Sequence, residues 1–176
     1  VVDPYREKWV SPIRRAGGLL YTVRGNHDFT IRRSPKEELG VTYSGRRTHE
    51  LVIGELSEPG VRWNRKDPGC CYYYFDDLSE RIRYVVADTS DSQDAGEVPW
   101  GTVYGMHAEQ LRWLAREALG TVPEGYGVVI AHHIPVAGLV GSSEDVKRFA
   151  QMKRLLDAYQ NRQRVEIADR TFDFTT

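Results

Sequence analysis

The sequence predicts an α/β protein built on a mixed sheet, and three observations carry that expectation. Two apolar runs, "LLYTV" at 19–23 and "YGVVIA" at 126–131, read as strands, and each leads into residues that can bind metals or move protons. "YYYF" and "IRYVVADTS", joined by "DDLSER", read as an antiparallel hairpin. Apolar residues at helical spacing within "AEQLRWLAREALG" and again after residue 144 mark amphipathic helices. Strands alternating with helices give α/β layers, and the hairpin makes the sheet mixed.

Taken in order, Asp3-Pro4 looks like an N-cap followed by proline at the first helical position. Tyr5, Trp9 and Ile13, with Val10, then form a helical stripe, kinked at Pro12 and ended by Gly17-Gly18. Residues 19–24 read as a buried strand. Residues 31–69 carry many charges and glycines and read as a surface excursion. Within it Ser34-Pro35 offers a short helix start, and Thr48 a cap for a helix running to about Leu56. After the hairpin, Leu111, Leu114, Ala115, Ala118 and Leu119 define the apolar face of a helix, with Gly120 as C-cap. A second buried strand ends at His132-His133. Ser142 or Ser143 caps a long helix from about 144 to 162, whose apolar face is Val146, Phe149, Met152, Leu155, Leu156 and Tyr159. Residues 165–176 begin another strand. No internal repeat or low-complexity segment occurs.

The 176 residues suffice for one domain spanning 1–176, and make two domains hard to accommodate. A net charge of −1 with scattered arginines gives no strong signal for nucleic acid or membrane. No apolar run approaches a membrane span, and Val1 opens no charged-then-apolar leader, which favours a cytoplasmic location. Cys70 and Cys71 are adjacent, point to opposite faces of a strand, and are poor disulfide partners. Tyr72, Tyr73 and Tyr74 read as packing rather than a substrate wall, and His49 and His107 as exposed.

The chemistry gathers at the strand ends. Gly25 permits a sharp exit and close backbone approach. Asn26 offers a neutral oxygen suited to a divalent cation, His27 a group that ligates or transfers a proton near neutral pH, and Asp28 a carboxylate that can orient it. A plain turn accounts for this quartet equally well when it is taken alone. The second run, "VVIAHHIPV", places two histidines directly after a strand, and the two strand ends look like halves of one metal site. Asp88, at the end of "YVVADT", reads as a turn or cap residue that approaches the same edge.

Together these motifs resemble the calcineurin-like metallophosphoesterases. Gly25-Asn26-His27-Asp28 matches that family's G-N-H-[D/E] box, and residues 128–135 match its later strand-then-H-x-P box. "CCYYYFDD…IRYVVADTSD" and the following Gln-Leu-x-Trp-Leu helix are similar to bacterial and phage members, so the resemblance runs from about residue 5 to the end. It implies an α-β-β-α sandwich with mixed sheets and two divalent ions (manganese, iron or zinc). It also implies hydrolysis of a phosphomonoester or phosphodiester substrate by a hydroxide held between the ions. Carried over, Asn26 ligates one ion, His27 contacts phosphate and protonates the leaving oxygen, and Asp28 orients His27. Spacing from Pro135 selects His133 as the further ligand, whereas counting from the strand end selects His132. Alternation lets only one of them face the metals.

The family's early D-x-H and G-D boxes and its late G-H-x-H box are not found. The resemblance therefore implies the central segment of a catalytic domain, incomplete at both ends, which binds metal weakly and turns over little by itself. The alternative is a catalytically inactive homologue acting as a binding or regulatory module. A serine hydrolase using Ser142 or Ser143 is disfavoured, because neither serine sits in a G-x-S-x-G turn.

Overall fold

The computed structural model describes residues 6–26, 28, 30–31, 39–42, 45–91, 97–99, 105–135 and 144–175. In chain order the elements are helix α1 (Arg6–Val10 continuing as Ser11–Arg15), strands β1 (Thr30–Ile31) and β2 (Leu39–Thr42), and helix α2 (Gly45–His49 continuing as Glu50–Leu56). Strands β3 (Arg62–Trp63), β4 (Tyr73–Asp77), β5 (Ile82–Val86) and β6 (Glu97–Pro99) follow. Helix α3 (Ala108–Trp113 continuing as Leu114–Leu119), strand β7 (Gly127–Ala131), helix α4 (Glu144–Gln160) and strands β8 (Arg164–Ile167) and β9 (Arg170–Asp173) complete the order.

The central sheet is mixed, in the order β3-β4-β5-β7. β4 and β5 form the predicted hairpin, with Tyr73 opposite Val86 and Asp77 opposite Ile82. Asp77 fixes its turn: one carboxylate oxygen accepts from Ser79 N at 2.9 Å, Ser79 Oγ at 2.6 Å and Glu80 N at 3.1 Å. β5 and β7 pair in parallel, which requires a crossover, and α3 supplies it. A smaller antiparallel sheet has the order β1-β2-β6, and β8 and β9 form a separate hairpin. The β8–β9 turn places Ala168 and Asp169 at φ 48° and 60°, the double left-handed geometry that suits tight hairpins. The chain is thus α/β in class.

Side-chain alternation along the sheet feeds two cores. Tyr72, Tyr74, Val85 and Ala87 face α3 and α4, meeting Leu111, Leu114, Phe149, Met152 and Leu155. Tyr73, Val86 and Cys71 face the other way, toward Val52 and Ile53 of α2. The three tyrosines are packing, as read from the sequence. Both cysteines are free and buried, and burial followed by the Asp67 carboxylate pushes the Cys70 thiol up to about 12. Gly120 caps α3 for a steric reason rather than a conformational one. Its φ is −69°, and a Cβ there would stand 2.7 Å from the Arg116 carbonyl oxygen.

Several expectations need correction. Residues 19–24 join no ladder, and Leu19 is 70% exposed. Their polar groups are met by side chains and loops instead. Thr22 Oγ1 donates to the Val52 carbonyl at 2.9 Å, Tyr73 OH donates to the Thr22 carbonyl at 2.8 Å, and the Glu58 carboxylate accepts from Leu20 N at 3.1 Å. An open groove of about 630 Å³, lined by Leu19, Tyr21, Phe75, Tyr84 and Val86 among others, runs between this segment and the sheet. In α1 the stripe loses phase: Val10 is buried while Trp9 is 61% exposed. Arg6–Val10 is a wide i→i+5 turn, which advances less per residue than an α-helix, so a 3.6-residue count misplaces its inner face. Thr48 lies inside α2 rather than at its cap, because the helix already starts at Gly45. His49 is half-buried rather than exposed, with Nδ1 2.6 Å from the Cys70 carbonyl oxygen and its ring edge-on to Trp63. His107 is also half-buried. Among the described residues β7 is an edge strand, and it is only half-buried, with Val129 exposed. Asp3, Pro4, Tyr5, Ser34, Pro35, Ser142 and Ser143 lie outside the described residues. Among the described residues no helix is long and apolar enough to cross a membrane.

Candidate functional site

The segment 19–24 and strand β7 deliver their ends to one place. Asn26 Oδ1 and His133 Nε2 stand 3.1 Å apart, joining residues 107 positions distant in sequence. Asn26 is buried and His133 exposed, so the pair opens to solvent from the imidazole side. The glycine between Arg24 and Asn26 is there for space. A Cβ on Gly25 would meet the His133 ring at 3.1–3.2 Å, tighter than ordinary van der Waals contact.

Asp28 closes the turn that presents Asn26. Its carboxylate accepts the Gly25 N–H at 2.7 Å, and its own N–H donates to the Gly25 carbonyl at 3.2 Å. The described contact of the Asp28 carboxylate is a backbone amide. His27 lies outside the described residues. His132 turns away from Asn26 into its own loop, with Nδ1 3.0 Å from the Ile134 carbonyl oxygen. Of the two histidines left open by the sequence, the structure brings His133 to Asn26.

Asp88 is neither a simple cap nor an exposed ligand. It is fully buried, forms an ion pair with Arg24, and accepts the Ser90 N–H at 2.9 Å. Arg24 is also buried, and its Nη2 donates to the Ser90 carbonyl at 3.0 Å. Burial opposes the Arg24 charge and is the largest single influence, but the Asp88 carboxylate together with Cys71 and Asp91 outweighs it and raises the guanidinium pKa. Gln110 reads both sides of the Asp88 backbone, accepting from its N–H at 2.8 Å and donating to its carbonyl at 2.9 Å. The same amide donates to Asp91 at 2.8 Å, and His107 Nδ1 lies 3.5 Å from the other Asp91 oxygen. Burial, then the Asp88 charge, raises the Asp91 pKa to about 7. Burial raises the Asp88 pKa as well, opposed by the guanidinium and the N–H on its two oxygens. Asp91 lacks such a cation, and the retained proton is assigned to it.

Arg24, Asp91 and Gln110 were missed by sequence reasoning. The available signal was a charged residue directly after each of two apolar runs, Arg24 after Val23 and Asp88 after Ala87. Opposite charges buried at strand ends need each other.

The donor pair fits a divalent ion. Two donors bound cis to one ion, each about 2.0–2.2 Å from it, stand roughly 3.0–3.5 Å apart. The observed 3.1 Å between the amide oxygen and the imidazole nitrogen is a hydrogen-bond distance, and it also falls within that range. Among the described residues no three His, Cys, Asp or Glu side chains gather as a metal-holding group. Comparison of the chain with protein-family models, curated proteins and solved structures finds no match.

Proposed function

We propose that the chain is a metallophosphoesterase-type segment, carrying part of a dinuclear centre that hydrolyses phosphomono- or phosphodiesters. The juxtaposition of Asn26 and His133 supports this reading most directly, since two separate chain segments supply an oxygen and a nitrogen donor at cis-ligand spacing. The mixed sheet with α3 and α4 on one face and α2 on the other is compatible with the α-β-β-α sandwich of that family.

In this reading Asn26 and His133 hold one of two divalent ions, manganese, iron or zinc. A bound ion supplies Lewis-acid polarisation of a phosphoryl oxygen and a nucleophile at neutral pH. The chain's own residues do the rest. His27 contacts the phosphate and delivers a proton to the leaving oxygen. Asp28 shapes the turn that presents Asn26, through its bond to Gly25 N. The Arg24–Asp88 pair keeps two buried charges neutralised beneath the site, so no unbalanced charge competes for the metal.

The test is hydrolysis of p-nitrophenyl phosphate and bis(p-nitrophenyl) phosphate with and without Mn²⁺. The expected result is slow, Mn²⁺-dependent turnover, abolished by His27→Ala and His133→Ala. Turnover that ignores Mn²⁺ or survives both substitutions would refute the reading. Metal binding without turnover would favour the alternative, a regulatory module that keeps the site but not the chemistry.

A further inference from the structure

Backbone pairing alone places neither donor of the site. Residues 19–24 belong to no ladder, so backbone pairing cannot set the height of Asn26. On the other side the β5–β7 ladder makes its last link where Ala87 N donates to the Ala131 carbonyl at 2.9 Å. His132 and His133 lie past it. Something else must hold both ends, and the contacts converge on three consecutive residues after β5.

We propose that Asp88-Thr89-Ser90 is the common reference that sets the Asn26–His133 spacing, with Thr89 as its positioning residue for the His133 half. Arg24, two residues before Asn26, is tied to this tripeptide twice, by its ion pair with Asp88 and its bond to the Ser90 carbonyl at 3.0 Å. The His133 turn is tied to it once, through the Thr89 hydroxyl, which accepts the Ile134 N–H at 2.8 Å. Thr89 is itself immobilised: it is fully buried, and its carbonyl accepts the Gly105 N–H at 2.9 Å. Gln110 clamps the neighbouring Asp88 backbone from helix α3. Both donors are thus registered to one short stretch in addition to their direct 3.1 Å contact with each other.

The asymmetry in the two ties makes the idea testable. Removing the Thr89 hydroxyl leaves the Ile134 N–H unpaired while disturbing neither the Arg24–Asp88 pair nor the β5–β7 ladder. The importance of Asn26 and His133 as ligands rests on the proposed metal site, but their spacing is measured without metal.

The experiment is NMR on the full chain, metal-free, for wild type, Thr89→Val and Thr89→Ser. Wild type is expected to show cross-relaxation between the Asn26 side-chain amide and the His133 ring, and slow exchange of the Ile134 amide. Thr89→Val is expected to lose that contact while the β5 and β7 amides stay protected, and Thr89→Ser to restore it. An unchanged Asn26–His133 contact in Thr89→Val overturns the proposal. So does fast exchange of the Ile134 amide in wild type, a readout that survives even if the valine variant fails to fold. Zn²⁺ titration of the same resonances separates the two claims. A wild-type site that ignores Zn²⁺ counts against the metal reading and leaves the metal-free result standing. A site that responds is expected to bind Zn²⁺ about tenfold more weakly in Thr89→Val.

Discussion

The two halves of the candidate site are held by different physics. His133 follows β7, whose five residues pair in register with β5, so its approach is set by a regular ladder up to Ala131. Asn26 follows a segment with no ladder at all, placed by Thr22, Glu58, Tyr73 and above all Arg24. Backbone pairing distributes its strength over many small bonds, each worth about 1 kcal/mol net. Side-chain placement concentrates it, and a buried ion pair concentrates it most, because loss of one partner strands a charge. The Asn26 half should accordingly be fragile to single substitutions that leave the His133 half intact.

The largest effect is expected from Arg24→Met. It leaves the Asp88 carboxylate buried without its cation, and should cost about 3–5 kcal/mol in urea unfolding. Amides of residues 20–26 should lose protection while those of β5 and β7 keep it. Equal loss in both regions would erase the distinction between the halves.

Next in size is a pH dependence centred on the same buried cluster. The Asp91 pKa is about 7 in the folded chain, against about 3.9 for an unperturbed aspartate. The folded state therefore binds more protons between those values, and stability should fall as pH rises from about 4 to about 7. The groups facing Asp91 are Asp88, Arg24, His107 and Gln110. Asp91→Asn keeps the acceptor for Gln110 and removes the Asp91 titration, so its unfolding midpoint should fall less steeply across that window and be higher than wild type at pH 8. A wild-type midpoint that rises between pH 4 and 7 would contradict the assignment of the retained proton to Asp91.

A smaller loss is expected from Tyr73→Phe, which removes the O–H donated to the Thr22 carbonyl at 2.8 Å. About 1 kcal/mol is expected, seen as faster exchange around Thr22, with the β4–β5 pairing unaffected.

The same contrast explains what could be read in the sequence. The β4–β5 hairpin, α3 and α4 were legible because their apolar periodicity reflects burial against regular neighbours: Leu111, Leu114, Phe149, Met152 and Leu155 are all at most 1% exposed. Residues 19–24 carried a strand-like pattern, yet their partners are scattered groups, the Val52 carbonyl of α2, Glu58 in the loop after it and the Tyr73 hydroxyl of β4, and periodicity carries no record of such partners. The wide turn in α1 shifted the phase on which the stripe of Tyr5, Trp9 and Ile13 was counted. β1, β2 and β6 have two to four residues each, too short to show a period. In the site, proline spacing pointed to His133. The Arg24–Asp88 pair was illegible because one sequence shows which charges exist, but not which of them meet.

The measurement that tests the central claim most directly is paramagnetic broadening by substoichiometric Mn²⁺, because it registers even weak binding residue by residue. The account predicts broadening centred on Gly25, Asn26, Asp28 and His133, sparing His132 relative to His133, and abolished by His133→Ala. Broadening centred elsewhere, or a pattern unchanged by His133→Ala, would contradict the assignment of Asn26 and His133 to one metal site.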